Sequence, residues 1–271
     1  MNVDTYSTMR PNINYKIHML EYPTIGVSIL GYIFWLSAIY LRLHYNFHYA
    51  ITTPLSIMGV YTLFTPLHEA VHTNISNNRT LNNNIGNLVT IPFFFANFNT
   101  FKFIHLQHHR YTNIKDKDPD HFSRYGIIGC ICMPIHYYIY VYQNKGIDSD
   151  VLYTICVYTL LYMGYVHDIF HHLLVLWIIP SIVAIMILSY VFDYLPHRDH
   201  TNIDQPTKMT DGILHTNNGH GNDVLSILTC NQLTYHHVHH LYSKIPFHAY
   251  KSVWTSNYEY LRDKYELQSI F

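Results

Sequence analysis

The sequence predicts an all-α integral membrane protein with about four transmembrane helices and a helical cap on the cytosolic side. Three observations carry this. Only 12% of the 271 residues are charged, against about 25% in a typical soluble domain. Several apolar runs are long enough to span a bilayer or nearly so. Finally, 22 histidines gather largely in tight clusters beside those runs. The formal net charge of −1 gives no support for nucleic-acid binding. Cys130, Cys132, Cys156 and Cys230 show neither CxxC nor scaffold spacing and read as apolar fillers. No cleavable signal peptide is expected in the polar first 21 residues, which read as a short tail or interfacial lead-in.

Residues 22–41 contain no charged side chain, and at 1.5 Å per residue they cross the hydrocarbon core. Tyr22, Trp35 and Tyr40 could sit in the interfacial belts. A second apolar run, about 47–67, ends at His68 and His72, with Pro66 placed to kink it. Residues 73–84 are Asn-rich and predict a loop or broken helix. Residues 85–98, interrupted by Pro92, are too short to span and predict a re-entrant or interfacial segment. Asp116, Asp118 and Asp120 lie among Lys115, Lys117 and Arg124, and are expected to cap and salt-bridge a loop rather than bind a cation.

Three apolar stretches follow, about 126–143, 151–166 and 173–192. If all three spanned, His109 and His197 would lie on opposite sides of the bilayer. Residues 126–143, broken by Gly126, Gly129 and Pro134, are therefore expected to stay interfacial. The four spans become 22–41, 47–67, 151–166 and 173–192, the third one short. Every basic residue except Arg42 then falls on the histidine side, which predicts that this side is cytoplasmic. His167, His171 and His172 have ligand spacing, but the same parity puts them on the far side, away from any metal. Residues 201–222 read as a polar loop with His215 and His220 exposed, 224–235 as a short helix, and 249–267 as a soluble helix over the cap.

The chemistry lies in three clusters: His68-Glu69-Ala70-Val71-His72, His105-Leu106-Gln107-His108-His109 and His236-His237-Val238-His239-His240. Their spacings are HxxxH, HxxHH and HxxHH. Residues three and four apart share a helix face, so each cluster aims two or three imidazoles at one region. Eight such ligands are too many for one first-row ion and about right for two. With no cysteine among them, the pattern points to a histidine-rich dinuclear centre, with iron preferred. His197 ends the last apolar run and is taken as a ninth ligand; Asp193, four residues earlier, would hold a water or orient an imidazole. His200 competes for that ninth place. Glu69 is expected to hydrogen-bond a ligand imidazole or a bound water.

His68-Glu69-xx-His72 is also formally an HExxH zinc-protease motif, with Asp211 as a conceivable distal ligand. That distant alternative leaves two complete HxxHH clusters unused. Two irons on neutral imidazoles can activate O2 against an unactivated C–H bond. The sequence carries no dinucleotide-binding glycine motif and no haem-attachment CxxCH. Electrons would come from a separate ferredoxin-like or cytochrome-like donor. The apolar body implies a lipid-soluble substrate arriving from the bilayer.

The stretches HEAVH at 68–72, FIHLQHHRYTN at 103–113, DPDHF at 118–122, FDYLPHR at 192–198 and TYHHVHHLYSKIP at 234–246 resemble the membrane fatty acid desaturase/hydroxylase superfamily. The likeness covers roughly residues 50–265 of what reads as one domain, 1–271. Within the superfamily the chain is most similar to bacterial and cyanobacterial-type β-carotene hydroxylases, with carotenoid ketolases next. The resemblance implies a diiron site on His68, His72, His105, His108, His109, His197, His236, His239 and His240, with Asp193 in the water-holding role. It implies hydroxylation of a carotenoid β-ionone ring, with ring ketolation, acyl-chain desaturation and sphingolipid or sterol oxidation as alternatives. The Asn-, Asp- and His-rich stretch 201–222 has no counterpart in the family.

Overall fold

The computed structural model describes residues 12–94, 97–144, 151–197, 223–258 and 260–261. Within them the protein is all-α. Helices α1 (Tyr22–Tyr45), α2 (Tyr49–Val71) and α7 (Phe170–His197) are long and apolar enough to cross a membrane. They indicate a multi-pass membrane protein. Helix α6 (Val151–Val166), expected as a fourth span, is apolar but only 16 residues long.

The outer face of α1, including Ile29, Ile33, Leu36 and Tyr40, is exposed, as suits a lipid-facing surface. Its other face packs closely on α2. A Cβ on Gly31 would lie 2.6 Å from Leu63 Cγ, and one on Gly59 would lie 2.7 Å from the Trp35 nitrogen. Small residues at the crossing let the two backbones approach. Asn46, left-handed at φ 55°, turns the chain between them.

Helix α3 (Arg79–Thr90) begins inside the stretch expected to be loop or broken helix. Asn78 starts it by accepting from Leu81 N–H at 3.1 Å. Buried Asn82 donates to the Ala70 carbonyl at 2.8 Å and accepts from Ile75 N–H at 3.2 Å. Asparagine richness here serves a cap and a turn, not a break. The lead-in before α1 lies along this turn, with Glu21 N–H donating to Ile75 O at 2.9 Å and Asn77 N–H to His18 O at 3.0 Å.

Helix α4 (Phe98–Tyr111) carries the second cluster, and a short 3-10 segment, Pro119–Tyr125, leads to α5 (Ile127–Asn144). Gly126 makes the corner at φ 71°. Helix α5 is the stretch expected to be interfacial; it is not among the three long apolar helices found in the described residues. Helix α7 contains two π-helical segments, Leu174–Ile178 and Ser189–Tyr194. Short helices α8 (Asp223–Leu228), α9 (His236–Leu241) and α10 (Tyr250–Ser256) follow. The polar loop 201–222, with Asp211, His215 and His220, and also His200, lies outside the described residues.

Candidate metal centre and its apolar cavity

All nine histidines singled out in the sequence meet in the structure. They divide into His68, His72, His105, His109 and His239 on one side, and His108, His197, His236 and His240 on the other. Each set draws on three elements. Helices α2, α4 and α9 supply the first; α4, the end of α7 and α9 supply the second. Two histidine-rich clusters of this kind are compatible with a diiron site.

The side chains converge through Nε2. His68 and His239 approach to 3.1 Å, His109 and His239 to 2.8 Å, and His72 and His105 to 2.9 Å. In the second set His197 and His236 lie at 3.0 Å, and His236 and His240 at 2.9 Å. His108 and His240 lie at 3.3 Å. Imidazoles about 2.1 Å from one ion and at right angles would stand roughly 3 Å apart, so these spacings are those of ligands sharing an ion.

The outward nitrogens strengthen that fit. His108 Nδ1 lies 2.9 Å from Asp118 Oδ1 and 3.1 Å from Asp120 Oδ2. Ionised carboxylates only accept, so Nδ1 carries the proton. His197 Nδ1 likewise donates to Asn113 Oδ1 at 3.0 Å. His239 Nδ1 meets the Tyr250 hydroxyl at 3.0 Å. In a neutral ring such a partner leaves the Nε2 lone pair facing inward, where a cation would neutralise the repulsion between lone pairs.

Charge follows position. Burial, reinforced by neighbouring histidines, holds His72, His105, His109, His236, His239 and His240 well below the usual 6.5. They stand neutral and ready to ligate. For His108 burial acts in the same direction, but Asp118 and Asp120 outweigh it and bring the ring to about 9. Burial with Asp118 alongside pushes Asp120 up to about 6 despite His108.

Glu69 is fully buried, accepts from Phe247 N–H at 3.2 Å, and lies 3.5 Å from His68 Nδ1. Its carboxylate thus stands behind His68 of the first set. The partner of His197 Nδ1 is Asn113. Inside the second π segment Asp193 meets the Tyr137 hydroxyl at 3.0 Å, and the same hydroxyl lies 2.8 Å from Asp120. Asp118 does cap the 3-10 segment, accepting from Asp120 N–H at 2.9 Å. Its other partners are Asn113 N–H at 2.7 Å and His108, not the flanking lysines. The sequence reading missed Asn113, Tyr137 and Tyr250. A tyrosine or asparagine distant in the chain gives no periodic signal.

His171 and His172 do not join either set. His172 Nδ1 pairs with the Tyr49 hydroxyl at 2.7 Å, at the opposite end of α2 from His68. Nineteen residues of helix separate the two ends, roughly 28 Å, close to the thickness of a hydrocarbon core.

Against the histidines lies a cavity of about 750 Å³. His68 and His105 of the first set, and His108 and His236 of the second, form part of its wall, beside Asp120 and Asp193. It continues along α7 from Asp193 to Ile182, eleven residues or roughly 16 Å. Phe93, Phe94, Tyr153 and Val157 line the rest, which is largely apolar. Tyr153 ties α6 to this wall by donating to Phe94 O at 2.9 Å.

No curated protein matches the chain significantly. The family model for fatty acid desaturases matches residues 44–143 and 141–269. That match and the two histidine sets fit an iron-dependent membrane oxidoreductase acting on a lipid, and they give no preference for a carotenoid. The matched segments take in all three histidine clusters and His197, and the chain belongs to the fatty acid desaturase family.

Proposed function

We propose that the protein is an O2-dependent diiron enzyme that oxidises an unactivated C–H bond in the acyl chain of a lipid, by desaturation or hydroxylation. The observation that carries this is the cavity: one long, mainly apolar space whose wall includes histidines of both sets. The five histidines of the first set would hold one iron and the four of the second the other. Iron bound there would supply activation of O2, consuming two electrons and two protons. Desaturation converts CH2–CH2, O2, two electrons and two protons into CH=CH and two waters. Hydroxylation converts C–H with the same inputs into C–OH and one water.

The chain's own residues set the conditions. Asp118 and Asp120 aim His108, Asn113 aims His197, and Tyr250 aims His239. The apolar wall excludes water from the reacting carbon. Asp193 and Tyr137 place polar oxygens at the histidine end, where a water or a proton can be held. The electrons come from a separate one-electron donor, ferredoxin-like or cytochrome-like. Helix α6 completes a four-span topology with the histidines facing the cytoplasm, in keeping with the bias of basic residues.

A second reading, hydroxylation of a carotenoid ring, is favoured by the HLQHH, DPDHF and FDYLPHR stretches. One experiment separates the two. The chain is expressed with a matched donor in cells that make β-carotene, and membrane lipids and pigments are analysed by mass. New double bonds or hydroxyls in the acyl lipids, with pigment unchanged, support the acyl reading. Ring alcohols or ketones on the pigment, with acyl lipids unchanged, replace it with the carotenoid reading.

A further inference from the structure

The cavity wall contains a buried donor with nothing to donate to. Gln232 lines the cavity and is 3% exposed, and its amide nitrogen Nε2 is buried without a hydrogen-bond partner among the described residues. A primary amide carries two N–H donors, and burial of unpaired donors opposes folding.

The local backbone holds Gln232 in this position. Cys230 and Asn231 just before it are both left-handed, at φ 48° and 62°, a region that residues with side chains seldom occupy. Asn231 N–H donates to Ser226 O at 2.7 Å, and Gln232 N–H to Thr229 O at 3.0 Å. His236, one turn further on, also faces the cavity. The residue is thus held one turn before a histidine of the second set.

The other polar groups at this end are differently disposed. Asp120 and Asp193 offer acceptor oxygens, and the single Tyr137 O–H lies between them. Away from the histidines the wall turns to Phe93, Val157 and Ile182. A substrate with one polar end and a long apolar tail matches this polarity when its polar end meets the histidines.

We propose that Gln232 donates a hydrogen bond from its amide to an oxygen of the bound substrate. The substrate therefore carries a hydroxyl, carbonyl or ester oxygen within a few bonds of the carbon that is oxidised, and its tail runs along α7. This rests on the lipid-oxidising reading above, and it narrows the substrate to a lipid attacked near its oxygenated end.

The test measures binding without turnover. The full-length protein is purified in detergent and kept anaerobic without donor. Dodecan-1-ol and dodecane are titrated as probes into the wild type, Gln232→Met and Gln232→Leu. The alcohol-to-alkane affinity ratio is expected to be roughly tenfold higher in the wild type than in either variant, the scale of one hydrogen bond. Alkane affinity should stay within about twofold, since the apolar wall is kept. The ligand-free melting temperature of the variants should be unchanged or higher, because an unpaired buried amide has been removed. Equal ratios in all three proteins would overturn the proposal. So would a lower melting temperature in both variants, which would show the amide engaged within the fold. Neither readout depends on iron content or on the lipid products, so failure here is distinct from failure of the proposed activity.

Discussion

Two regions carry closely spaced histidines, and their fates differ. At one end of α2, His68 and His72 meet seven other imidazoles contributed by α4, α7 and α9. At the other end, His167, His171 and His172 also have ligand spacing in the sequence, yet the partner of His172 is the Tyr49 hydroxyl. What differs is how many other elements aim at the same point, and whether buried acceptors fix the outward nitrogens. Ligand spacing is a local property; a metal site needs convergence from several helices.

The largest expected effect tests the contrast directly. His239 lies close to both His68 and His109 at Nε2. His239→Ala should strip metal from the first set and reduce turnover to background. His172→Ala should leave metal content unchanged. Elemental analysis of both purified variants decides it, and equal metal loss in the two would end the distinction.

The second prediction concerns the outward partners. Asp118→Ala removes the 2.9 Å acceptor of His108, and Tyr49→Phe removes the 2.7 Å partner of His172. Loss of a partner behind a ligand commonly costs 10–100-fold in metal affinity or activity. That loss is expected for Asp118→Ala in a chelator competition, with Tyr49→Phe matching the wild type. Asp193→Ala should likewise cut activity about 10–100-fold while leaving metal bound, as read by paired rate and metal measurements.

The third prediction uses pH. Six histidines of the two sets have folded-state values below 6.5. The stability that they contribute is present above about pH 6.5 and is lost as the pH falls below it. His108, raised to about 9, has the opposite sign: its contribution is present below 6.5 and is lost as the pH rises through about 9. The metal-free protein should therefore melt at a lower temperature at about pH 5 than near neutrality. Metal affinity should fall over the same acidic range, because protons compete for Nε2. A melting temperature that does not change across this range would contradict the assignment of buried neutral imidazoles.

The smallest effect sharpens the comparison from the far side. Tyr49→Phe removes one partly buried hydrogen bond and should cost about 0.5–1.5 kcal/mol, measured by denaturant titration. A larger loss would mean that His172 and Tyr49 anchor the helix hairpin more firmly than one such bond explains.

The histidine spacings and the apolar runs are properties of short stretches, so the sequence alone determined them. It was enough to single out nine histidines of a helical membrane protein as ligands and to keep His171 and His172 apart from them. Tertiary structure decided how those nine divide. Neighbouring residues on a helix point about 100° apart, so His108 and His109 belong to different sets, as do His239 and His240. No spacing rule says which member of each pair faces which set; the crossing of α4, α7 and α9 does. Tertiary structure also chose the braces. Asn113 is 84 residues from His197, and Tyr137 is 56 from Asp193. Such contacts leave no periodic trace, because they arise from where whole helices pack and not from the local repeat of the chain.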